Sequence, residues 1–191
     1  MVRKPQKRTL QTHENLLNAA RDAVTQHGYG GARVDDIVAR ASVAKGTFFA
    51  HFRDKDALMD VLIGADLSAV LDAAEAKNAP ETVNDLIEAL APLHDAMTCE
   101  RYVFDIVIRY SGALGQSDIG PIAMIFSRYI DVVEGWVRGS GFRNDIPERL
   151  VAEGVQAFAV QAMALTFCAL HQEASRDARL AQYLAAWLTP A

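Results

Sequence analysis

Apolar residues recur at helical spacing along the first fifty residues of the chain. Their pattern predicts a first helix over about residues 9–27, followed by Gly28, where a left-handed residue commonly ends a helix. A short second helix is predicted over residues 34–41, because its apolar positions recur three, four and seven residues apart. A tight turn separates it from a third, two-turn helix over residues 45–51. Two short helices joined in this way are typical of a helix-turn-helix motif.

The rest of the chain also follows helical periodicity, without the alternation that predicts strands. Asp54 can cap a fourth helix that runs to about residue 78. No linker rich in proline, glycine or serine interrupts it, so we expect this helix to join two domains. We also expect Asp145 and Glu148 to form a capping box at the start of a later helix. Proline, glycine and serine positions divide the remainder into helices at about residues 80–97, 99–112, 119–139, 146–172 and 175–188.

The predicted fold is therefore all-α, with a three-helix head at residues 1–53 and a helical body at residues 54–191. Charge divides between the same two parts. The head holds nine Lys and Arg against four Asp and Glu, whereas the body holds ten bases against twenty acids, so a net charge of -5 combines +5 with -10. A polyanion would be attracted to the head and repelled by the body.

Several classes of protein are disfavoured. No apolar run approaches the roughly 20 residues that a membrane-spanning helix needs, and the basic N-terminus lacks the apolar stretch of an export signal. The two cysteines, Cys99 and Cys168, form no CxxC pair, which fits a reducing cytoplasm. The motifs of serine hydrolases, phosphate-binding loops and zinc peptidases are absent, so we expect no enzyme, no metal site and no cofactor.

The third predicted helix combines an apolar face with a small, polar one. A seven-residue helix is unstable alone in water, so Phe48 and Phe52 are expected to pack it against its neighbours. A helix about 10 Å wide fits the major groove of DNA, where the base edges are distinguishable. The free face carries short or polar side chains that suit such an approach: Lys45, Gly46, Thr47, Ala50 and His51.

These residues closely resemble the DNA-binding domain of TetR-type repressors. The resemblance is carried by Gly28, Val34-Asp35-Asp36-Ile37, the run Ala41-Ser42-Val43-Ala44-Lys45-Gly46-Thr47-Phe48-Phe49-Ala50-His51-Phe52, and Lys55-Asp56-Ala57-Leu58. It implies that the third helix enters the major groove, with Lys45, Gly46 and Thr47 nearest the bases. It also implies that Phe49, His51 and Lys55 contact the sugar-phosphate backbone.

The sequence departs from the usual TetR pattern at four positions. Phe49 replaces a common Tyr and so lacks a hydroxyl that could bond to phosphate. Ser42 replaces the usual Gly of the turn, and Ala44 replaces a frequent Ser or Thr cap of the third helix. Arg33 replaces a common Ser or Thr at the start of the second helix, which makes its guanidinium a further candidate for a phosphate contact.

The resemblance also implies the role of the body, as a helical ligand-binding and dimerisation domain. The protein would bind double-stranded operator DNA as a homodimer, most simply as a repressor that a small-molecule effector releases. The helices at 146–172 and 175–188 would pair with their copies, unless they only close the core of a monomer. An alternative is a DNA-binding factor of the same fold without an effector. The candidate ligand residues are His94, Tyr102, Tyr110 and Gln161.

Nearby, Arg101, Asp105 and Arg109 recur every four residues. This spacing favours a salt-bridged surface ridge over a ligand site.

Overall fold

The computed structural model describes residues 7–112, 119–170 and 174–189. Within these ranges the chain forms nine α-helices and no strand, so the all-α prediction is confirmed. The basic residues before Lys7, and residues 171–172 of the predicted penultimate helix, lie outside the described ranges. The helices are α1 (Lys7–Gly31), α2 (Val34–Arg40), α3 (Lys45–His51), α4 (Lys55–Glu75), α5 (Val83–Thr98), α6 (Arg101–Tyr110), α7 (Pro121–Val137), α8 (Glu148–Thr166) and α9 (Arg176–Leu188).

The first three helices form a small core around an aromatic side chain. Phe48 of α3 is completely buried and Phe52 is almost so, as the sequence predicts. Leu16 of α1 and Ile37 of α2 are buried in the same core. Because so short a helix has little stability of its own, this packing fixes the position of α3.

The turn between α2 and α3 shows the effect of the unusual residues there. Ser42 adopts a left-handed φ of 53°, the conformation for which glycine is the usual residue. Ala44 precedes α3 without any side-chain cap, and Arg33 precedes α2 in the same way. The turn is closed instead by the main chain, where the Val43 amide donates to the Val38 carbonyl over 3.1 Å.

The end of α1 bends at Gly28. This residue has φ 73° and ψ 169°, which agrees with the predicted left-handed position. Helical turns nevertheless continue to Gly31, three residues beyond Gly28, and the Ala32 amide donates to the Gly28 carbonyl over 3.1 Å. The bend places the main chain of residues 28–31 beside the body.

Helix α4 connects the two parts of the molecule. Asp54 caps it as predicted, since its carboxylate accepts the Ala57 amide at 2.8 Å. The helix packs against α1 in the head and against α5, α6 and α7 in the body. Leu58 is buried at its start and Leu71 near its end. The boundary between residues 53 and 54 stays a prediction, because α4 contributes to both cores.

Helices α8 and α9 lie close together because one contact position has no side chain. A Cβ built on Gly154 would lie 2.4 Å from the Trp187 ring. The Trp187 indole also donates to the Val151 carbonyl over 3.0 Å. The absence of a side chain at Gly154 therefore permits the close packing of α8 on α9.

The capping box predicted at Asp145 and Glu148 is wrong. The residue that precedes α8 is Pro147, and no side chain caps this helix. Asp145 instead pairs with Arg143 at 2.7 Å, and this neighbour lowers the pKa of the Asp145 carboxyl. A capping box is present elsewhere, at the start of α5.

The end predicted for α8 is also too late. The helix ends at Thr166, and Phe167 leaves the helical conformation to pack its ring 5.3 Å from that of Phe104. No glycine or proline marks this end. The helix therefore ends where Phe167 contacts a distant part of the chain.

Candidate nucleic-acid interface

The outer side of α3 is open to solvent. Lys45, Gly46, Phe49 and Ala50 are exposed; we call these four residues the α3 face. A Cβ built on Gly46 would meet nothing within 4 Å, so a flat surface could approach the backbone there. Phe49 exposes 51% of its surface, an unusual fraction for an aromatic side chain beside a buried one. Thr47 lies at the edge of this face and is half-buried.

Lys45 is held on this surface by an acid of α2. Its ammonium lies 2.7 Å from a carboxylate oxygen of Asp35, and both side chains are more than half exposed. The hydrogen bond from Lys45 lowers the pKa of Asp35. Exposed ion pairs of this kind are weak and exchange readily. Lys45 is therefore oriented outward yet free to take another anion as its partner.

Arg33 and Lys55 occupy different surroundings, although both are candidate phosphate contacts. Arg33 is exposed just before α2. The Lys55 ammonium donates to the Gly30 carbonyl over 2.9 Å and lies 4.5 Å from the centre of the Tyr102 ring. Burial lowers the pKa of Lys55. A phosphate contact by Lys55 would have to compete with these intramolecular partners.

His51 lies at the end of α3 beside a second imidazole, which sequence analysis did not single out. The rings of His13 and His51 are 5.7 Å apart, and His13 also stacks on Phe52 at 4.8 Å. Both imidazoles are half-exposed. Residues 13 and 51 are far apart in sequence, and only the packing of α1 on α3 brings them together.

A carboxylate of the body holds the main chain of the head. The side chain of Glu100 accepts the Tyr29 amide at 2.9 Å and the Gly30 amide at 3.0 Å. Glu100 immediately precedes α6 but does not cap it. A Cβ on Gly28 would lie 2.7 Å from the carboxylate, so a residue without a side chain is required where the chain bends. We call this contact the Glu100 clamp.

Two of the candidate ligand residues belong to the same boundary between head and body. The Tyr102 hydroxyl donates to Asp56 over 2.8 Å, and burial, together with this bond, raises the pKa of Tyr102. Asp56 also pairs with Arg109. The Tyr110 hydroxyl accepts from Arg53 over 3.3 Å.

Of the ridge predicted from the spacing of residues 101, 105 and 109, the Arg101–Asp105 pair forms at 2.9 Å. Arg109 instead contacts the start of α4 through its pair with Asp56.

The other two candidate ligand residues lie elsewhere. His94 is completely buried between α5 and α7, where its Nε2 lies 3.2 Å from the Tyr129 hydroxyl and its Nδ1 has no partner in the described structure. Burial lowers the pKa of His94 to about 4. Gln161 is exposed on α8. The four candidates thus occupy three separate surroundings, and the structure does not bring them together.

Two other kinds of site are absent from the part of the chain that the structure describes. Over residues 7–112, 119–170 and 174–189, no three His, Cys, Asp or Glu side chains are grouped so that they could hold a metal ion. None of the helices described is both long and apolar enough to cross a membrane.

A short helix held by a buried aromatic side chain, with an exposed outer face and a helical body behind it, is the arrangement of a helix-turn-helix DNA-binding regulator. Residues 16–62 match the family model of bacterial regulatory proteins of the tetR family. The chain is 26% identical over 143 residues to the uncharacterized HTH-type transcriptional regulator YvdT of Bacillus subtilis (strain 168), covering 74% of this chain and 73% of that protein. It is also 26% identical over 125 residues to the HTH-type transcriptional regulator UidR of Escherichia coli (strain K12), covering 64% and 61%.

Solved structures with the same fold include the TetR-family repressor FadR of Thermus thermophilus in complex with lauroyl-CoA. Its TM-score is 0.63 at 16% identity, and the alignment covers 92% of each chain. SmeT, the repressor of the Stenotrophomonas maltophilia efflux pump SmeDEF, aligns with a TM-score of 0.56 at 20% identity over 95% of this chain and 92% of that one. Residues 16–62 therefore carry a DNA-binding region of the tetR type, and the solved structures share the fold of the described chain.

Proposed function

We propose that the protein is a homodimeric repressor that binds operator DNA through α3 of each subunit and is released by a small-molecule effector. The observation that carries the proposal is the α3 face, open at Gly46 and fixed from behind by buried Phe48. The basic head attracts DNA and the acidic body repels it, so the protein approaches DNA with its head first. A cytoplasmic location follows from this role.

The proposed base contacts come from the first turn of α3. Gly46 allows the backbone to approach the floor of the major groove, and Lys45 exchanges its exposed bond with Asp35 for a base edge or a phosphate. Thr47 lies beside them. The proposed backbone contacts flank this turn and come from Arg33, Phe49, His51 and Lys55.

The proposed dimer forms through α8 and α9. Leu150 of α8 is 45% exposed, and Phe158 and Trp187 are only half-buried and stack edge to face at 5.8 Å. A second copy would cover these apolar surfaces. The two α3 helices of such a dimer must then lie about 34 Å apart, or a small multiple of this, to read successive turns of one DNA face.

The proposed effector site is in the body. Buried His94 offers an unpartnered Nδ1 there, whereas Tyr102 and Tyr110 lie where a movement of α6 would reach the head. Two proteins of the same fold, FadR and the multidrug binding protein EbrR, have been solved with lauroyl-CoA and imidazole respectively. An effector must bind the DNA-free arrangement more tightly than the DNA-bound one.

The DNA contact is tested by replacing Lys45 with Ala. A duplex selected from a random pool is titrated with each protein and followed by fluorescence anisotropy. We expect Lys45→Ala to weaken binding by about five- to a hundredfold, the range for loss of a specific contact, without changing the melting temperature. Lys77→Ala, at an exposed lysine beyond the end of α4, is the matched control and should bind like the wild type. Unchanged affinity in Lys45→Ala would remove this residue from the interface.

The effector is tested by a thermal-shift screen of small molecules. A compound that raises the melting temperature should also release the selected duplex. If stabilising compounds leave DNA binding unaltered, the alternative of a DNA-binding factor without an effector is favoured.

A further inference from the structure

Two imidazoles meet at the edge of the α3 face. The His13 ring from α1 lies over Phe52, with 25° between the ring planes, and its centre is 5.7 Å from that of His51. Neither imidazole forms a hydrogen bond to the described residues. Their ring nitrogens are therefore available to a ligand, and Phe52 holds His13 in place from behind.

The electrostatic surroundings disfavour the charged form of His13 in the free protein. Burial lowers the pKa of His13, and the neighbouring His51 lowers it further. Glu14 on the same helix acts in the opposite direction but is the smallest of the three influences. An anion placed against the His13 imidazole would favour its charged form and so promote the uptake of a proton.

The location of the pair suggests which anion it accepts. His51 is in the last turn of α3, next to exposed Ala50 and close to Phe49. A duplex seated on the α3 face would bring its sugar-phosphate backbone to the edge of that face. A phosphate there would accept hydrogen bonds from both imidazoles and would offset the repulsion between them.

We propose that His13 joins His51 in binding one DNA phosphate, and that a proton is taken up when the duplex binds. This inference rests on the DNA-binding function proposed above and adds His13 to the interface. By linkage, the affinity for DNA must then rise as the pH falls. One proton taken up per site changes the binding constant by up to tenfold for each pH unit, because the equilibrium includes one hydrogen ion.

The experiment measures affinity for the selected duplex at pH 6, 7 and 8 and at constant ionic strength. Because the proposed dimer places two such sites on one duplex, we expect wild-type affinity to fall by about ten- to a hundredfold per unit between pH 7 and pH 8. His13→Phe keeps a ring on Phe52 but removes the titrating group, so its pH dependence should be clearly shallower. The log-log salt dependence of wild-type binding should also be steeper at pH 6 than at pH 8 by about 1.8, the contribution of one phosphate for each of the two subunits.

Controls separate this role from a structural one. His27→Gln changes an exposed histidine fourteen residues along α1, about 21 Å away at 1.5 Å per residue, and should keep the full pH dependence. Melting temperatures at pH 7 report whether each variant is folded. An equal pH dependence in the wild type and His13→Phe, or a wild type whose affinity does not depend on pH, would overturn this inference but not the proposed DNA-binding function. A wild type that retains no duplex at any pH would overturn the proposed function as well.

Discussion

The Glu100 clamp should determine how firmly the head is held on the body, and Glu100→Ala removes it. The carboxylate accepts two main-chain amides of the head, those of Tyr29 and Gly30. Without it, both amides lose their partner. The variant does not disturb a cap, because Glu100 makes no side-chain bond to its own helix.

The expected magnitude follows from the surroundings of the two bonds. A hydrogen bond to a charged group contributes about 1.5–3 kcal/mol when well shielded. Here the Tyr29 amide is partly buried and the Gly30 amide is exposed, so water replaces much of the second bond. We expect Glu100→Ala to lower the free energy of unfolding by about 2 kcal/mol, and Glu100→Gln by about half as much.

Two measurements test this expectation. Urea denaturation at fixed protein concentration gives the change in the free energy of unfolding, and a loss of this size corresponds to about 4–8 °C in melting temperature for a chain of this length. Hydrogen exchange at residues 29 and 30 gives the local effect, since an amide released from its acceptor exchanges faster. The exchange rates of amides in α8 should rise only by the amount that the loss of global stability explains.

The control is Glu88→Ala, which removes an exposed carboxylate of α5 that has no hydrogen bond or ion pair in the described structure. It should leave both measurements unchanged. If Glu100→Ala unfolds at the wild-type urea concentration and exchanges normally at residues 29 and 30, the carboxylate does not hold the head.

Two further predictions concern the body. The folded-state pKa of His94, about 4, lies below its ordinary 6.5, so its contribution to stability is complete above pH 6.5 and is lost as the pH falls toward 4. In urea denaturation, the wild type should lose about 2 kcal/mol more stability than His94→Leu between pH 7 and pH 5. Equal losses in the two proteins would contradict the burial of a neutral ring. Gly154→Ala should destabilise the protein by about 2 kcal/mol, because its Cβ displaces Trp187. The control is Gly135→Ala in α7, where a Cβ meets nothing within 4 Å; it should be neutral or stabilising by up to about 1 kcal/mol. Equal effects of the two variants in the same denaturation assay would show that the α8–α9 contact is loose.

Sequence analysis predicted those parts of the fold that local patterns determine. The bounds of α3, the burial of Phe48 and the cap at Asp54 all follow from residues within one or two helical turns of each other. The left-handed residue at Gly28 was also predicted, from the glycine that follows the first helical run. Such features need no knowledge of the rest of the molecule.

The features that were missed depend on contacts between distant segments. Glu100 reaches amides about seventy residues away, and His13 meets His51 only because α1 packs on α3. The end of α8 was placed too late: the helix ends just before Phe167, whose ring contacts Phe104 from a distant part of the chain. The spacing of Asp145 and Glu148 suited a capping box, but Arg143 offers Asp145 a stronger, charged partner.

The Glu100 clamp consists of hydrogen bonds to main-chain amides, and it uses no side chain of the head. Any amino acid except proline supplies the amide that it needs at position 30, where a Cβ would make only ordinary contacts at 3.5 Å. The identity of that residue is therefore free to vary while the head keeps its orientation. An engineer could label position 30 with a spectroscopic probe and observe the joint between head and body without loosening it.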